Sequence, residues 1–547
     1  MYNHALRTIK RAAQRGGTAG ILFGSSDGIA CIVGSWKEQF TGVHGAYQAH
    51  FQAVQHHYKG NVCSSDVHGI YAARPWRIPT SHFPLVTSNH VCTFLIPMCL
   101  DRDLPSDCIY YIAVLTMLSH SFFTAAIAAA ACINAAPAEY VKSILLFKSF
   151  QERGVDFKWG RDTVRGVNIG GWLVLEPFIT PSLFEKYSTS DWLVVDEWTL
   201  CEKVGQSNCA EAMKPHWDSF VSIDDFWKIK QAGFNIVRIP VGYWSYVEPW
   251  GPYAQGAAVY LDAAIDWARE TGLKVVIDLH GAPKSQNGFD HSGHKAEYPA
   301  WGDADSISYT HNVLKVIETK YAAPNMQDVV VAIQVLNEPF LQKLDKEVVK
   351  QFYRDAFYNL REISDTPIML HDGFEDPSWM NGFLTPQDND AQGVVVDHHE
   401  YQIFSDGSTN LTVKEHLTLT CNLVSNYENS DKWTIVGEWS GALTDCAPHL
   451  NGFRAGSRLE GTLAGTPPIG SCAGKSGPVS SWTQEYKNDV RSYIETQLDA
   501  FESKTNGWVF WNFKTEGGAG EWDLFQLLDE GVWPVGGRQF ERWCSNF

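Results

Sequence analysis

From Arg165 onward, short apolar runs alternate with stretches whose apolar positions recur every three or four residues. Eight runs stand out, at 166–169, 236–240, 274–280, 329–336, 367–371, 393–399, 432–438 and 507–513. They lack strict apolar–polar alternation, which suits parallel strands covered on both faces. Helical patterns lie between them. Ser222-Ile-Asp-Asp225 supplies an N-cap with an acid three residues on, and the helix over 226–232 stops at Gly233. A second amphipathic helix is predicted over 260–271, ending at Gly272. Eight β/α units in roughly 350 residues predict a (β/α)8 TIM barrel, one domain with extended loops. The alternative is a doubly wound open sheet with a glycine-rich phosphate turn after its first strand. Gly166-Val-Asn-Ile-Gly-Gly171 fits that turn poorly.

The residues ending these runs carry chemistry. In order they are Asn168, Arg238, His280, Asn337-Glu338, His371-Asp372, His399, Glu438 and Trp511. A barrel gathers such residues at its C-terminal mouth, where barrel enzymes place their sites. A purely structural barrel has little reason to desolvate a polar side chain after nearly every strand.

Composition narrows the partners. The chain of 547 residues is 44% hydrophobic and 19% charged, so most of it can bury a core. A net charge of −19 argues against nucleic acid or an anionic membrane as the main partner, since each calls for a clustered basic face. A neutral polymer is compatible. The 21 Trp and 21 Tyr suit sugar faces, which offer C–H groups for stacking, although a large core alone would account for them.

The first 107 residues lack sustained periodicity, and no Asp, Glu, Lys or Arg occurs from 108 to 138. Within that run, Met117 opens a segment with an apolar centre and small residues near Ala135 to Ala138, as in a secretory signal peptide. The expected organisation is an upstream extension over 1–116 outside the fold, a signal peptide over 117–138, a linker or propeptide-like lead-in over 139–164, and the main domain over 165–547. The segment 140–151 looks foreign to its surroundings. If Met1 is the start instead, the uncharged run is long enough to act as a signal anchor. Both readings export the main domain, to the extracellular space or cell wall.

Six cysteines follow: Cys201, Cys209, Cys421, Cys446, Cys472 and Cys544. An even number in an exported chain favours disulfides, and no Cys-x-x-Cys pair supports zinc or redox chemistry. Asn410-Leu-Thr412 is a glycosylation sequon. No cofactor motif is present, so neither cofactor nor metal is expected. Gly24-Ser-Ser-Asp-Gly28 matches a serine-hydrolase elbow, but no strand precedes it. His398 and His399 invite a metal reading, yet adjacent strand residues point to opposite faces.

Two carboxylates remain. Glu338 lies in Val335-Leu-Asn-Glu-Pro339 and Glu438 in Ile435-Val-Gly-Glu-Trp439, ending the fourth and seventh runs. These positions lie nearly opposite each other across a barrel mouth. Glycoside hydrolysis needs one carboxyl protonated to serve the leaving oxygen and one ionised to face the anomeric carbon. Either Glu alone would read as a salt-bridge partner, but the pair points to catalysis.

These motifs resemble glycoside hydrolase family 5. The block Arg165-Gly-Val-Asn-Ile-Gly-Gly-Trp-Leu-Val-Leu-Glu-Pro177, with Asp278-Leu-His-Gly-Ala-Pro283, Gln286-Asn-Gly-Phe-Asp290 and His398-His-Glu-Tyr-Gln-Ile-Phe404, resembles the fungal exo-β-1,3-glucanases from about Gly154 to Phe547. The resemblance implies a retaining enzyme with Glu338 as acid/base and Glu438 as nucleophile. It implies that Asn337 binds the sugar 2-hydroxyl, Arg238 holds Glu438 ionised and Tyr401 orients it. His280 and His399 would line the first subsite, with Trp511 as its stacking floor. Glu176 and Asp290 would bind the terminal glucose and close the pocket, making the action exo. Phe289 and Phe404 would clamp the next glucose. Implied disulfides are Cys421–Cys544 and Cys446–Cys472, leaving Cys201 and Cys209 to each other. Lys284 stands where the family usually has Gly, and His291 where Asn is common; neither is expected to touch the carboxylates. The partner implied is β-1,3-glucan, acted on by a monomer. Competing readings are an endo-acting β-1,4-glucanase or mannanase, and a wall-binding protein with a dead site.

Overall fold

Each of the eight apolar runs overlaps a strand. They are β1 (Val164–Asn168), β2 (Ile236–Val241), β3 (Lys274–Leu279), β4 (Val330–Gln334), β5 (Ile368–His371), β6 (Val394–His399), β7 (Trp433–Glu438) and β8 (Gly507–Phe510). Every strand pairs in parallel with the next, and β8 pairs with β1 to close the ring. The chain is a (β/α)8 TIM barrel. Several strands end sooner than the runs. After β4 and β8 the backbone turns into the mouth while keeping single bonds, Asn337 N–H to Leu279 O at 2.9 Å and Phe513 N–H to Asn168 O at 3.1 Å.

This computed structural model describes residues 154–534 and Cys544 in full. The chain divides into units 1–150 and 151–547. In the first, only backbone is described, as the antiparallel pairs Ala19–Ser25 with Gly28–Gly34, Gln55–Tyr58 with Cys63–Asp66, and Val91–Cys99 with Cys108–Thr116; a strand therefore does run into Gly24-Ser-Ser-Asp-Gly28, against expectation, but it turns back as a hairpin. The expected signal peptide at 117–138 and the lead-in as far as 153 lie outside the described residues.

Helices cover the barrel. The link after β1 holds α1 (Pro181–Tyr187), α2 (Glu197–Val204), α3 (Gln206–Phe220) and α4 (Ile223–Gln231). Ser222 and Asp225 form the expected capping box of α4. Then come α5 (Ala258–Thr271), α6 (Ala304–Tyr321) and α7 (Lys346–Arg361) after β2, β3 and β4, with Gly272 capping α5 in a left-handed conformation. After β6 come α8 (Asp406–Thr409) and α9 (Val413–Tyr427), after β7 α10 (Gln484–Lys504), and after β8 α11 (Leu524–Asp529). One unit departs from the expected eight: the link from β5 to β6 has only a 3-10 turn, Pro377–Met380. Gly373, Pro377, Gly382 and Pro386 interrupt that stretch too often for a helix.

The floor of the barrel is apolar. Phe157 and Trp159 pack under Val164, Ile236, Val276, Val331, Met369, Val395, Ile435 and Val509. Trp159 Nε1 donates to Val331 O at 3.0 Å. Burying a ring such as Phe157 contributes about 1.5–3 kcal/mol. The tail of the segment expected as a linker therefore belongs to the barrel, and the domain begins ahead of Arg165. Its signal was the aromatic pair in Val155-Asp-Phe-Lys-Trp159.

Three disulfides close with Cα–Cα distances of 5.0 Å (Cys201–Cys209), 5.2 Å (Cys421–Cys544) and 5.4 Å (Cys446–Cys472). The second ties the chain end to α9 across a separation of 123 residues, worth about 4–5 kcal/mol in the loop-entropy account. Among the described residues no helix is long and apolar enough to cross a membrane.

Candidate active site

The site is organised around one cation. Arg238 on β2 is fully buried and points into the barrel. Its Nε donates to Gln334 Oε1 at 2.8 Å, and its Nη1 donates to Asn168 Oδ1 and Glu438 Oε1, both at 2.9 Å. Nη2 donates to Asn337 Oδ1 at 2.7 Å and lies 3.2 Å from Asp278 Oδ2. Burial alone would favour a neutral guanidinium. Asp278, Glu438 and Asp397 outweigh it and hold Arg238 charged. Strands β1, β2, β3, β4 and β7 are thus joined at one planar group.

Strand alternation supplies the next layer. Asp278 and His280 share one face, as do Asp397 and His399. His280 Nδ1 lies 2.6 Å from Asp278 Oδ2, and its ring stacks on Trp511 with centroids 5.6 Å apart. Gly170 permits this floor, since a Cβ there would lie 2.6 Å from the Trp511 ring. Gly437, just before Glu438, is equally constrained, because a Cβ would meet Asp397 Oδ1 at 1.8 Å.

Glu338 and Glu438 face each other across one imidazole. His399 Nδ1 lies 2.6 Å from Glu338 Oε1 and 3.4 Å from Glu438 Oε2. Those oxygens are therefore no farther apart than the two contacts together, about 6 Å. Glu338 sits at a φ of 44°, a left-handed conformation that costs a non-glycine residue about 1–2 kcal/mol. The loops around it hold that turn, with Phe340 N–H donating to Gln286 O at 3.0 Å.

The two carboxyls differ in their partners. Burial pushes Glu338 up to about 8, opposed by Arg238. Burial also raises Glu438, again against Arg238 and with help from Glu338. The expectation that Arg238 holds Glu438 ionised needs this correction: the guanidinium limits a rise instead of producing a net fall. Direct contact separates the pair, because Glu438 accepts from Arg238 and from Tyr401 Oη at 3.1 Å. The first ionisation therefore belongs to Glu438. The tautomer of His399 agrees. Its Nε2 lies 3.1 Å from Asp397 Oδ2, which already accepts from Gln334, so Nε2 carries the proton. Burial and Arg238 keep the ring neutral, leaving Nδ1 as an acceptor. Glu338 Oε1 must then carry a proton towards it.

The remaining expected residues line the same mouth. Glu176, after β1, is buried, and burial with the charges of Glu438 and Asp290 favours its protonated form. Burial pushes Asp290 up to about 6, with Lys295 opposing. Asn337 keeps its buried Nδ2 without a partner. Phe289 and Phe404 are 39% and 46% exposed, each one ring from a carboxylate contact: Phe289 lies 5.4 Å from His291, and Phe404 5.6 Å from Tyr401. Lys284 pairs with Asp303, away from both carboxylates. Its φ of 68° accounts for the glycine usual in the family. The expectation for His291 fails, since its Nε2 lies 3.4 Å from Glu338 Oε2. That side chain reaches the mouth because a 3-10 turn, Asp290–Ser292, follows Phe289. Asn410 is exposed beside α8.

Glu338, His371 and His399 bring possible metal-ligand atoms within 4.8 Å of one another. Their tautomers do not fit a cation. His371 Nδ1 accepts from Gly373 N–H at 2.8 Å, so Nε2 keeps its proton, and His399 is engaged between Asp397 and Glu338. Of the three, Glu338 and His399 are joined by a hydrogen bond, while His371 Nε2 is buried without a partner. Sequence reasoning missed Gln334 and Asp397 altogether. A polar residue inside an apolar parallel strand, as in Ile333-Gln334 or Val396-Asp397, was the available sign.

The family model for cellulase (glycosyl hydrolase family 5) matches residues 202–452. The chain is similar to a glucan 1,3-β-glucosidase of Yarrowia lipolytica, with 40% identity over 71% of this chain and 93% of the relative. A glucan 1,3-β-glucosidase of Schwanniomyces occidentalis shares 42% identity over 72% and 93%. A probable glucan 1,3-β-glucosidase A of Aspergillus fumigatus shares 45% over 70% and 90%. Among solved structures, a rutinosidase from Aspergillus niger has the same fold, with a TM-score of 0.54, 19% identity, and coverage of 69% of this chain and 99% of that one. With nine-tenths of each curated relative covered, the chain belongs to glycoside hydrolase family 5, the family of the glucan 1,3-β-glucosidases it matches.

Proposed function

We propose that this protein is a retaining glucan 1,3-β-glucosidase that releases glucose from the non-reducing ends of β-1,3-glucan by double displacement. One observation carries the mechanism: a single imidazole touches both carboxyls, so their nearest oxygens lie within about 6 Å. A retaining pair sits about 5–5.5 Å apart, whereas an inverting pair leaves about 6.5–9.5 Å for a water. Glu438 attacks the anomeric carbon as Glu338 passes its proton to the departing oxygen. Glu338 then takes a proton from water, which displaces Glu438. Asn337 Nδ2, otherwise an unpaired buried donor, suits the sugar 2-hydroxyl. Glu176 and Asp290 close the pocket around the terminal glucose. Phe289 and Phe404 sandwich the next one, and their exposure favours that role over anchoring the loops.

The names of the relatives support a β-1,3-glucan substrate over cellulose or mannan. Three disulfides and the exposed Asn410 sequon support an exported, glycosylated protein acting on wall glucan. Transglycosylation is compatible with the same covalent intermediate. The test is product analysis on laminarin and cellulose. Glucose released from laminarin with the β-anomer formed first supports the proposal; α-glucose, internal cleavage or a preference for cellulose sinks it. Sequencing of the exported protein is expected to begin at or after Ala136, and residues from 1–116 on it would establish the anchored form.

A further inference from the structure

We propose that His291 is a positioning residue for the acid/base, holding Oε2 of Glu338 while His399 holds Oε1 and joining that carboxyl to the entrance ring Phe289. The inference rests on the reading of Glu338 as acid/base.

The geometry gives each oxygen its own imidazole. Glu338 Oε1 lies 2.6 Å from His399 Nδ1, and Oε2 lies 3.4 Å from His291 Nε2. Because Nδ1 of His399 is an acceptor, the carboxyl proton belongs on Oε1, and Oε2 is left needing a donor. His291 can supply it. Its Nδ1 is buried without a partner, so a proton there would be an unsatisfied donor, whereas a proton on Nε2 faces Oε2 across 3.4 Å, longer than an ordinary hydrogen bond but close enough to shorten into one. Burial, with His280 and Arg238 nearby, keeps the ring neutral, so it offers one N–H and no charge. The ring is wedged between His280, with centroids 5.3 Å apart, and Phe289 at 5.4 Å. A single turn thus carries an entrance ring and a contact to the proton donor.

The N–H of His291 has a direction of effect. When Glu338 gives up its proton to the leaving oxygen, the new carboxylate keeps a donor on Oε2. That donor favours the ionised form and works against the burial that disfavours it. The other groups facing Glu338 are Arg238 from β2, Asp278 from β3, His371 from β5, Asp397 and His399 from β6 and Glu438 from β7. Glu176 faces it from the loop after β1, and Tyr401 from the loop after β6. Apart from His291 none of these reaches Oε2. An asparagine here also offers an N–H; leucine fills space and offers none.

The experiment compares wild type, His291→Asn and His291→Leu on aryl β-glucosides across pH. His291→Leu is expected to move the basic limb of kcat/KM upward by roughly half a pH unit or more. It should also lose more activity on poor leaving groups than on good ones. His291→Asn is expected to restore both. A basic limb that stays or moves down in His291→Leu overturns the proposal, even if activity or melting temperature falls, and so does a limb that stays raised in His291→Asn, which would mark desolvation by the new side chain as the cause. His291→Ala takes its place should the leucine variant fail to fold. Azide rescue of Glu338→Ala tests the underlying assignment separately: its failure sinks the acid/base reading, while an unmoved limb with rescue intact sinks only the role of His291.

Discussion

The two sides of the mouth hold their carboxyls by different means. Around Glu438 the partners are charged or strongly polar and fixed: Arg238 at 2.9 Å, Tyr401 at 3.1 Å, and behind them Asn168 and Asp278. Around Glu338 they are neutral imidazoles backed by rings, with His399 and His291 on its two oxygens and Phe289 beyond. A buried guanidinium fixes the sign of charge beside it whatever the pH, which suits a carboxyl that must stay ionised. Neutral imidazoles fix only orientation, so the carboxyl between them can gain and lose a proton during one turnover. On the proposed mechanism, two glutamates of the same chemistry thereby receive opposite tasks.

The strongest way to break this contrast is to remove the fixed side. Glu438→Gln should lower kcat by about 10⁴-fold or more and abolish the covalent adduct that a 2-deoxy-2-fluoro glucoside leaves on the wild type. Mass spectrometry of the intact protein checks this, and an adduct elsewhere would reassign the nucleophile. Removing the mobile proton should cost less and depend on the substrate. Glu338→Gln should lose about 10²–10⁴-fold on laminarin yet still form the intermediate from an aryl glucoside with a good leaving group. In the wild type, burial pushes Glu338 up to about 8, so the basic limb of kcat/KM should fall as pH rises through about 8, while protonation of Glu438 sets a separate acidic limb. A basic limb near the ordinary range for a carboxyl would contradict that environment.

Smaller changes sharpen the comparison. Tyr401→Phe deletes one hydrogen bond to Glu438 and should reduce kcat by about 10–100-fold with KM little changed. Phe289→Ala and Phe404→Ala should act on KM for laminarin, each by about 3–10-fold, with the melting temperature kept. If the double variant melts several degrees lower and keeps its ratio of laminarin to aryl-glucoside activity, the rings anchor loops instead.

The sequence made most of the fold legible because parallel strands leave a strong local mark. Val275-Val-Ile and Val394-Val-Val can hardly be anything but buried strands, and the capping box at Ser222 and the stop at Gly272 fixed helix ends. The proposed catalytic pair was legible for the same reason, since Glu438 ends such a strand and Glu338 lies four residues beyond the end of another. Less visible was whatever depended on which face a residue takes. Gln334 and Asp397 read as interruptions of apolar runs, and only closure of the barrel aims them at Arg238. Nor does local sequence show that Phe157 and Trp159 would find an open barrel floor whose residues lie from 5 to 352 positions away along the chain.

The sequence by itself determined eight strands in order, the two glutamates at opposite points of a ring, and the cysteines available to staple it. Those features depend on periodicity and on residue types at strand ends, which act over a few residues. Tertiary structure alone decided which oxygen meets which nitrogen. It set the single proton between His399 and Glu338, the five-strand junction at Arg238, and the contact from His291 to Oε2. Those outcomes turn on ångström-scale separations between residues tens to hundreds of positions apart, and no local pattern encodes a distance.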